Sequence, residues 1–105
     1  MNYQSVLEYC IKKPCAIEDY ALDPESTVVK VGSKMFAILN IKGGKVYISL
    51  KCDPFTAETL RQQYPAVKPA YHLDEPNWNI VALDGTVPAS EVCWMIDHSY
   101  ALLSM

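Results

Sequence analysis

The side chains best able to do chemistry in this chain are four cysteines and two histidines. They are Cys10, Cys15, Cys52, Cys93, His72 and His98. No two cysteines are separated by two residues, the spacing found in zinc knuckles and thioredoxin-type sites, and the histidines lie 26 positions apart. We therefore expect free thiols, no metal site and no cofactor.

Cys52 and His72 are the candidates for catalysis. Cys52 directly precedes Asp53 and Pro54, a predicted helix start, and a helix N-terminus can lower the pKa of a thiol. No general base is identifiable beside Cys52, and no nucleophile or second base stands at a recognisable spacing from His72. His98 lies near the end of the last predicted helix, where a histidine interacts favourably with the helix dipole. We expect no catalytic residues and a protein that is not an enzyme.

The clearest structural pattern, over residues 26–51, is that of three antiparallel strands. Apolar and polar side chains alternate in STVVKV, KMFAILNI and KVYISLK, which are separated by two glycine-containing turns. A two-residue turn at residues 43–44 sets the register and directs Phe36 and Tyr47 to the outward face. The core face is expected to hold Met35, Ala37, Leu39, Ile41, Val46, Ile48 and Leu50.

The first hairpin of this meander raises a problem of charge. A two-residue turn at Gly32-Ser33 would pair Lys30 with Met35 and so place the lysine on the core face. Burying an unpaired charge is costly. We therefore predict a three-residue connection with a β-bulge, which pairs Lys30 with Lys34.

Helical spacing, caps and proline breakers predict the elements around the meander. Helices are expected over residues 3–11, from Asp53 to Pro65, and from Pro88 almost to the C-terminus. Short strands are expected at residues 16–20 and 78–83, a turn at 23–24, and an irregular proline-rich loop at 65–77.

These elements predict a single α+β domain over residues 1–105. It is a two-layer α-β sandwich, in which the N- and C-terminal helices pack on one face of an antiparallel sheet. The sequence contains no run of about 18 apolar residues and no signal-peptide pattern. We therefore expect a cytoplasmic protein without a membrane partner, and nothing in the sequence demands more than a monomer.

Charge is unevenly distributed along the chain. The formal net charge is −3, which taken alone argues against a nucleic-acid partner. Residues 26–51 nevertheless contain no acidic residue and five lysines, which are Lys30, Lys34, Lys42, Lys45 and Lys51. Lysines beside outward aromatic side chains suit phosphate binding combined with stacking. Lysines also protect exposed strands from edge pairing and keep a sheet soluble, so charge alone leaves both interpretations open.

Five ordered blocks between residues 28 and 103 resemble the MmcQ/YjbR family. They are VVKVGSKMFAIL, SLKCDP, LRQQYPAVKPAYHL, WNIVALDGTVP and IDHSYALL. The resemblance implies a frataxin/CyaY-like sandwich and DNA binding through a double-wing motif, with matching family positions at Lys51, His72, Trp78 and Asn79. Before the tryptophan this chain has DEPN, where the family usually has a second histidine or a basic residue. That difference makes the lysine-bearing meander the better candidate surface.

The leading hypothesis is a DNA-binding domain that makes weak, salt-sensitive contacts with duplex phosphates. The residues expected to make them are Lys30, Lys34, Phe36, Lys45, Tyr47 and Lys51. The alternative is that the open sheet face binds an acidic protein. An iron site of the frataxin type is not expected, because Glu8 is the only carboxylate of the first helix.

Overall fold

Six strands and three helices make up residues 1–20 and 25–104, the part of the chain that the computed structural model describes. The helices are α1 (Tyr3–Ile11), α2 (Pro54–Gln63) and α3 (Ala89–Ala101). The strands are β1 (Ile17–Asp19), β2 (Ser26–Val31), β3 (Lys34–Lys42), β4 (Lys45–Lys51), β5 (Val67–Pro69) and β6 (Trp78–Ala82). These bounds confirm the predicted helices and meander, while the turn expected at residues 23–24 lies outside the described residues.

The strands form one sheet in the order β1-β2-β3-β4-β6-β5, and every neighbouring pair is antiparallel. All three helices contribute to a single apolar core on one face of this sheet. Fully buried side chains in that core include Val6, Val29, Leu39, Ile48, Val81 and Ile96. The arrangement confirms the α+β two-layer sandwich. Within the described ranges, no helix has both the length and the hydrophobicity that a bilayer crossing requires.

Helix starts are set by local sequence, as the pattern of caps predicts. The side chain of Asn2 accepts the main-chain N–H of Ser5 at 2.8 Å, and the hydroxyl of Ser5 accepts the N–H of Asn2 at 3.0 Å. Asp53 caps α2 by accepting the N–H of Thr56 at 3.0 Å, with Pro54 in the first helical position. Each cap satisfies N–H groups that have no partner inside the helix.

The three-residue connection predicted between β2 and β3 is wrong. A two-residue turn joins these strands, and Lys30 pairs with Met35. A β-bulge lies within the strands instead, because the next pair is Val29 with Ala37 and leaves Phe36 as an extra residue on β3. Phe36 and Ala37 are both fully buried in the core, while the bulge keeps Lys30 on the opposite face. Lys30 therefore stays out of the core, as expected, but a bulge within the strands achieves this and not a longer turn.

Some of the residues predicted for the core face lie elsewhere in the structure. Ala37, Leu39, Ile48 and Leu50 lie in the core as expected. The bulge moves Met35, which is only half-buried, off the core face. Ile41 is 43% exposed because it lies near the tip of the β3–β4 hairpin.

A buried serine of α3 holds the bulge in place. The β3–β4 ladder runs to the pair Ala37–Leu50 and stops there, so the next two main-chain groups, on Phe36 and Lys51, lack each other as partners. The hydroxyl of Ser99 donates to the carbonyl of Phe36 at 2.6 Å and accepts the N–H of Lys51 at 3.0 Å. The ring of Phe36 then packs edge-on against Tyr100, with centroids 5.3 Å apart. Ser99 thus replaces the missing rung of the ladder.

The segment at residues 65–77, predicted to be irregular, contains the edge strand β5. Val67–Pro69 pairs with β6 through Val67–Val81 and Lys68–Ile80, and Glu75–Asn77 forms a 3₁₀ turn. Prolines at both ends of this stretch hid a strand of only three residues. The segment therefore widens the sheet rather than folding across it.

We predict that Ser99→Ala lowers the free energy of unfolding by about 2–3 kcal/mol, because it leaves a buried carbonyl and a part-buried N–H without partners. Denaturant unfolding would show a lower midpoint with an unchanged slope. The control is Ser90→Ala, at an exposed position of the same helix, which should change stability by less than about 0.5 kcal/mol. Equal losses in the two variants would show that the hydroxyl does not hold the bulge.

Candidate functional site

The candidate binding surface is the sheet face opposite the helices, called the outer face below. Side chains alternate along each strand, so the neighbours of core residues such as Leu39, Ile48 and Val81 point to it. Five lysines do so: Lys30, Lys42, Lys45, Lys51 and Lys68. Among the described strand residues, Asp19 on β1 is the only acidic side chain directed to the same face.

The predicted lysines differ in how freely they could meet a ligand. The ammonium group of Lys30 forms an ion pair with Asp19 at 2.7 Å. Lys51 is half-buried and lies opposite Trp78 in the ladder. Lys45 is exposed at the start of β4, and Tyr47 follows it on the outer face, half-buried. The structure therefore places these four side chains on one face.

Two predicted contact residues do not belong to this face. Phe36 was expected to point outward, but the bulge turns it into the core, where it is fully buried. Lys34 pairs with Val31, whose side chain packs against the core, and its ammonium donates to the carbonyl of Leu103 at 3.3 Å. Lys34 therefore lies at the edge of the sheet beside the C-terminal turn.

Lys68 is a binding candidate that the sequence analysis missed. It is exposed in the middle of β5, between Val67, which is buried in the core, and Pro69. The alternation of one inward and one outward residue was present in the sequence. It was too short to be recognised as a strand between prolines.

The centre of the outer face is apolar. Val28, Ile38 and Trp78 are each only 6% exposed, yet none of them belongs to the core on the helix side. Beside them lies an open depression of about 280 Å³, lined by Tyr47, Pro65, Ala66, Lys68, Ile80, Ala82, Asp84 and Thr86. The lysines thus surround a shallow apolar and aromatic surface.

The family-motif positions other than Lys51 fall into two groups. Asn79 is buried, accepts the Nε–H of Arg61 at 2.7 Å and donates to the carbonyl of Ala57 at 3.3 Å. Arg61 also donates to the carbonyl of Glu75 at 2.7 Å. Arg61 also donates to the main-chain carbonyl of Trp78 at 3.3 Å, so Asn79 and the main chain of Trp78 tie α2 to β6, whereas His72 is exposed.

A second group of chemically active side chains lies where β4 meets α2. Cys52, Asp53 and His98 each offer one donor atom, and these atoms all lie within 4.8 Å of one another. The Nε2 of His98 is 3.0 Å from Oδ2 of Asp53 and 3.4 Å from the main-chain nitrogen of the same residue. The histidine ring stacks on Trp94, with centroids 5.0 Å apart and planes within 7° of parallel. This cluster was not predicted from the sequence, because 45 residues separate Asp53 from His98.

Two groups of this cluster have shifted pKa values. Hydrogen bonds from Thr56 hold the pKa of the Asp53 carboxyl below its ordinary value, and the nearby His98 lowers it further. Burial, reinforced by the charge of Asp53, raises the pKa of the Cys52 thiol to about 11. At neutral pH the thiol is therefore protonated, contrary to the lowered pKa considered for a helix start.

We predict that Asp53→Asn makes unfolding less sensitive to acid. A carboxyl with a lowered folded-state pKa adds stability above its unfolded value, about 3.9, and loses that stability as pH falls through the folded value. Asparagine retains the cap but has no carboxyl to titrate. The free energy of unfolding measured from pH 6 to pH 3 should fall less steeply in Asp53→Asn than in the wild type. Glu58→Gln, an exposed change on α2, should keep the wild-type slope, and a wild-type slope in Asp53→Asn would contradict the assignment.

The chain is similar over almost its whole length to bacterial proteins of one family. The YjbR family model matches residues 11–102. YjbR of Escherichia coli K12 is 37% identical over 100 residues, which are 95% of this chain and 85% of that protein.

Two solved structures have the same fold. A Deinococcus radiodurans protein with a DUF419 domain superposes with a TM-score of 0.89 at 36% identity, over 96% of this chain and 77% of the other. A Pseudomonas syringae protein gives 0.84 at 29% identity, over 97% and 98%. The sequence match and the shared fold together show that this chain belongs to the YjbR family.

Proposed function

We propose that this protein binds duplex DNA through the outer face, by contacts between lysine side chains and backbone phosphates. The observation that carries the proposal is the grouping of Lys30, Lys42, Lys45, Lys51 and Lys68 on one face, with Asp19 as the only opposing strand residue described there. Residues 26–51, which supply four of these five lysines, contain no acidic residue.

The size of the lysine-bearing face suits a duplex. Lys30 on β2 and Lys68 on β5 are four strand spacings apart, about 19 Å at about 4.8 Å per strand. Duplex DNA carries one charge per about 1.7 Å of axis, so a stretch of that length holds about eleven phosphates, of which those on the near side are within reach. Five lysines are enough for weak attachment, with dissociation constants on the order of 10⁻⁴–10⁻⁶ M at physiological salt.

The chemistry of the face favours binding without sequence preference. Lysine contacts phosphate as a point charge and carries no information about bases. Tyr47 and the apolar depression beside it add a surface for sugar or exposed base contact. Asp74 and Glu75 are not expected to contact DNA, because their side chains are negatively charged. The 3₁₀ turn that contains Glu75 is bonded to Arg61.

We predict that Lys45→Glu combined with Lys68→Glu weakens DNA binding by more than 10-fold. Fluorescence anisotropy of a labelled duplex over a salt series measures both affinity and salt dependence. The slope of log K against log[salt] should decrease in magnitude by about 2, since each lost phosphate contact contributes about 0.9. Both lysines are exposed, so the variant should remain folded by circular dichroism.

The matched control is Lys12→Glu combined with Lys34→Glu. Each double variant changes the formal net charge from −3 to −7, because each substitution changes it by two units. Lys12 follows α1 on the helix side, and Lys34 lies at the sheet edge. Binding by the control should stay within about threefold of the wild type. Equal losses in both variants would indicate a non-specific charge effect, and no wild-type binding at low salt would exclude the proposal.

An acidic protein is the second candidate partner for the same face. The open depression lined by Tyr47 and Ile80 offers apolar area that phosphate binding does not require, and protein interfaces combine such a centre with a polar rim. Retention of one defined protein after nuclease treatment, and its loss in the Lys45 and Lys68 double variant, would favour this partner over DNA.

A further inference from the structure

We propose that Cys52, Asp53 and His98 form a binding site for a divalent transition metal ion such as Zn²⁺, with three protein ligands and a fourth position open to solvent. This site is separate from the DNA-binding proposal, because it lies on the helix side, at the junction of β4, α2 and α3. Thiolate, imidazole and carboxylate are the three ligand types that Zn²⁺ takes in proteins.

The donor atoms are close to the separations that a tetrahedral ion needs. Bonds of about 2.0–2.3 Å at tetrahedral angles place ligand atoms about 3.3–3.6 Å apart. The His98 to Asp53 separation is already 3.0 Å, and no pair in the cluster exceeds 4.8 Å. Closing the site therefore requires movements of the donor atoms on the order of 1 Å.

Each proposed ligand residue makes a hydrogen bond or a ring contact that does not use its metal-binding atom. Oδ1 of Asp53 accepts the N–H of Thr56, which leaves Oδ2 facing the histidine. The main chain of Cys52 donates to the carbonyl of Asn77 at 2.7 Å. The ring of His98 is fixed by its stack on Trp94. Such outer contacts orient ligands in metal sites and strengthen binding.

The surroundings of Nε2 of His98 also suit a cation. This nitrogen faces both a carboxylate oxygen and a main-chain N–H of Asp53. A metal ion placed between Nε2 of His98 and Oδ2 of Asp53 could bind both atoms. His98 lies in the last turn of α3, whose carbonyl end attracts cations.

The site is accessible to an ion, and its ligands match the charge of a divalent ion. The side chains of His98 and Asp53 are 21% and 38% exposed, which gives an ion a route to the site, while Cys52 closes it from the inside. A thiolate and a carboxylate together neutralise a divalent ion. Binding of the ion to the sulfur of Cys52 displaces the thiol proton.

The test is titration of the full-length chain with Co²⁺ under reducing conditions, followed by competition with Zn²⁺. We expect one equivalent of Co²⁺ to bind, with a thiolate charge-transfer band in the near ultraviolet that Zn²⁺ abolishes. Cys52→Ser should lose the band, and His98→Gln and Asp53→Asn should each weaken binding by at least about 10-fold. The matched controls are Cys15→Ser and His72→Gln, which alter an exposed cysteine and an exposed histidine outside the cluster and should bind as the wild type does.

Circular dichroism and thermal unfolding of each variant without metal separate lost ligands from lost structure. Asp53→Asn retains the helix cap, so it tests the site even where Cys52→Ser is destabilised. The proposal is overturned by the absence of a thiolate band in the wild type at millimolar Co²⁺. It is equally overturned by binding that survives Cys52→Ser and His98→Gln, or that disappears in Cys15→Ser or His72→Gln.

Discussion

The hydroxyl of Ser99 is the interaction on which the two faces of this sheet depend. It enters the sheet where the bulge at Phe36 has ended the β3–β4 ladder, and it gives a partner to one carbonyl and one N–H. Leaving either group buried and unpaired would cost about 1–3 kcal/mol. With the bulge secured, Phe36 fills the core under α3 and Lys30 remains on the outer face. A one-residue slip would exchange the two faces of β3.

The end of α3 organises more than the bulge. Ser99 bonds to the main chain of Lys51. The preceding residue, His98, contacts Asp53, which lies two residues after Lys51. Two consecutive helical side chains therefore contact the last outward lysine of β4 and the residue that caps α2. The outer face and the proposed metal site thus both depend on contacts made by the C-terminal end of α3, although they lie on different sides of the sheet.

Local rules predicted most of the architecture, and non-local bonds account for the failures. Strand alternation over residues 26–51, the cap at Asp53 and the helix start near Pro88 depend on neighbours in sequence, and these elements were predicted. The position of the bulge depends on Ser99, which lies 63 residues from Phe36, so no local pattern could place it. The cluster of Cys52 and Asp53 with His98 was missed for the same reason. Lys68 was missed because three residues between prolines carry too little periodicity.

The edge strands set limits on how copies of this protein can meet. β1 and β5 contribute only three residues each, and β5 ends in Pro69, which has no main-chain N–H to donate. A further strand arriving at either side would find few hydrogen bonds to complete. This sheet is consequently a poor template for β-augmentation and for the stacking of chains into fibrils. Lasting association of the described part of the protein must therefore be made through side chains on its faces.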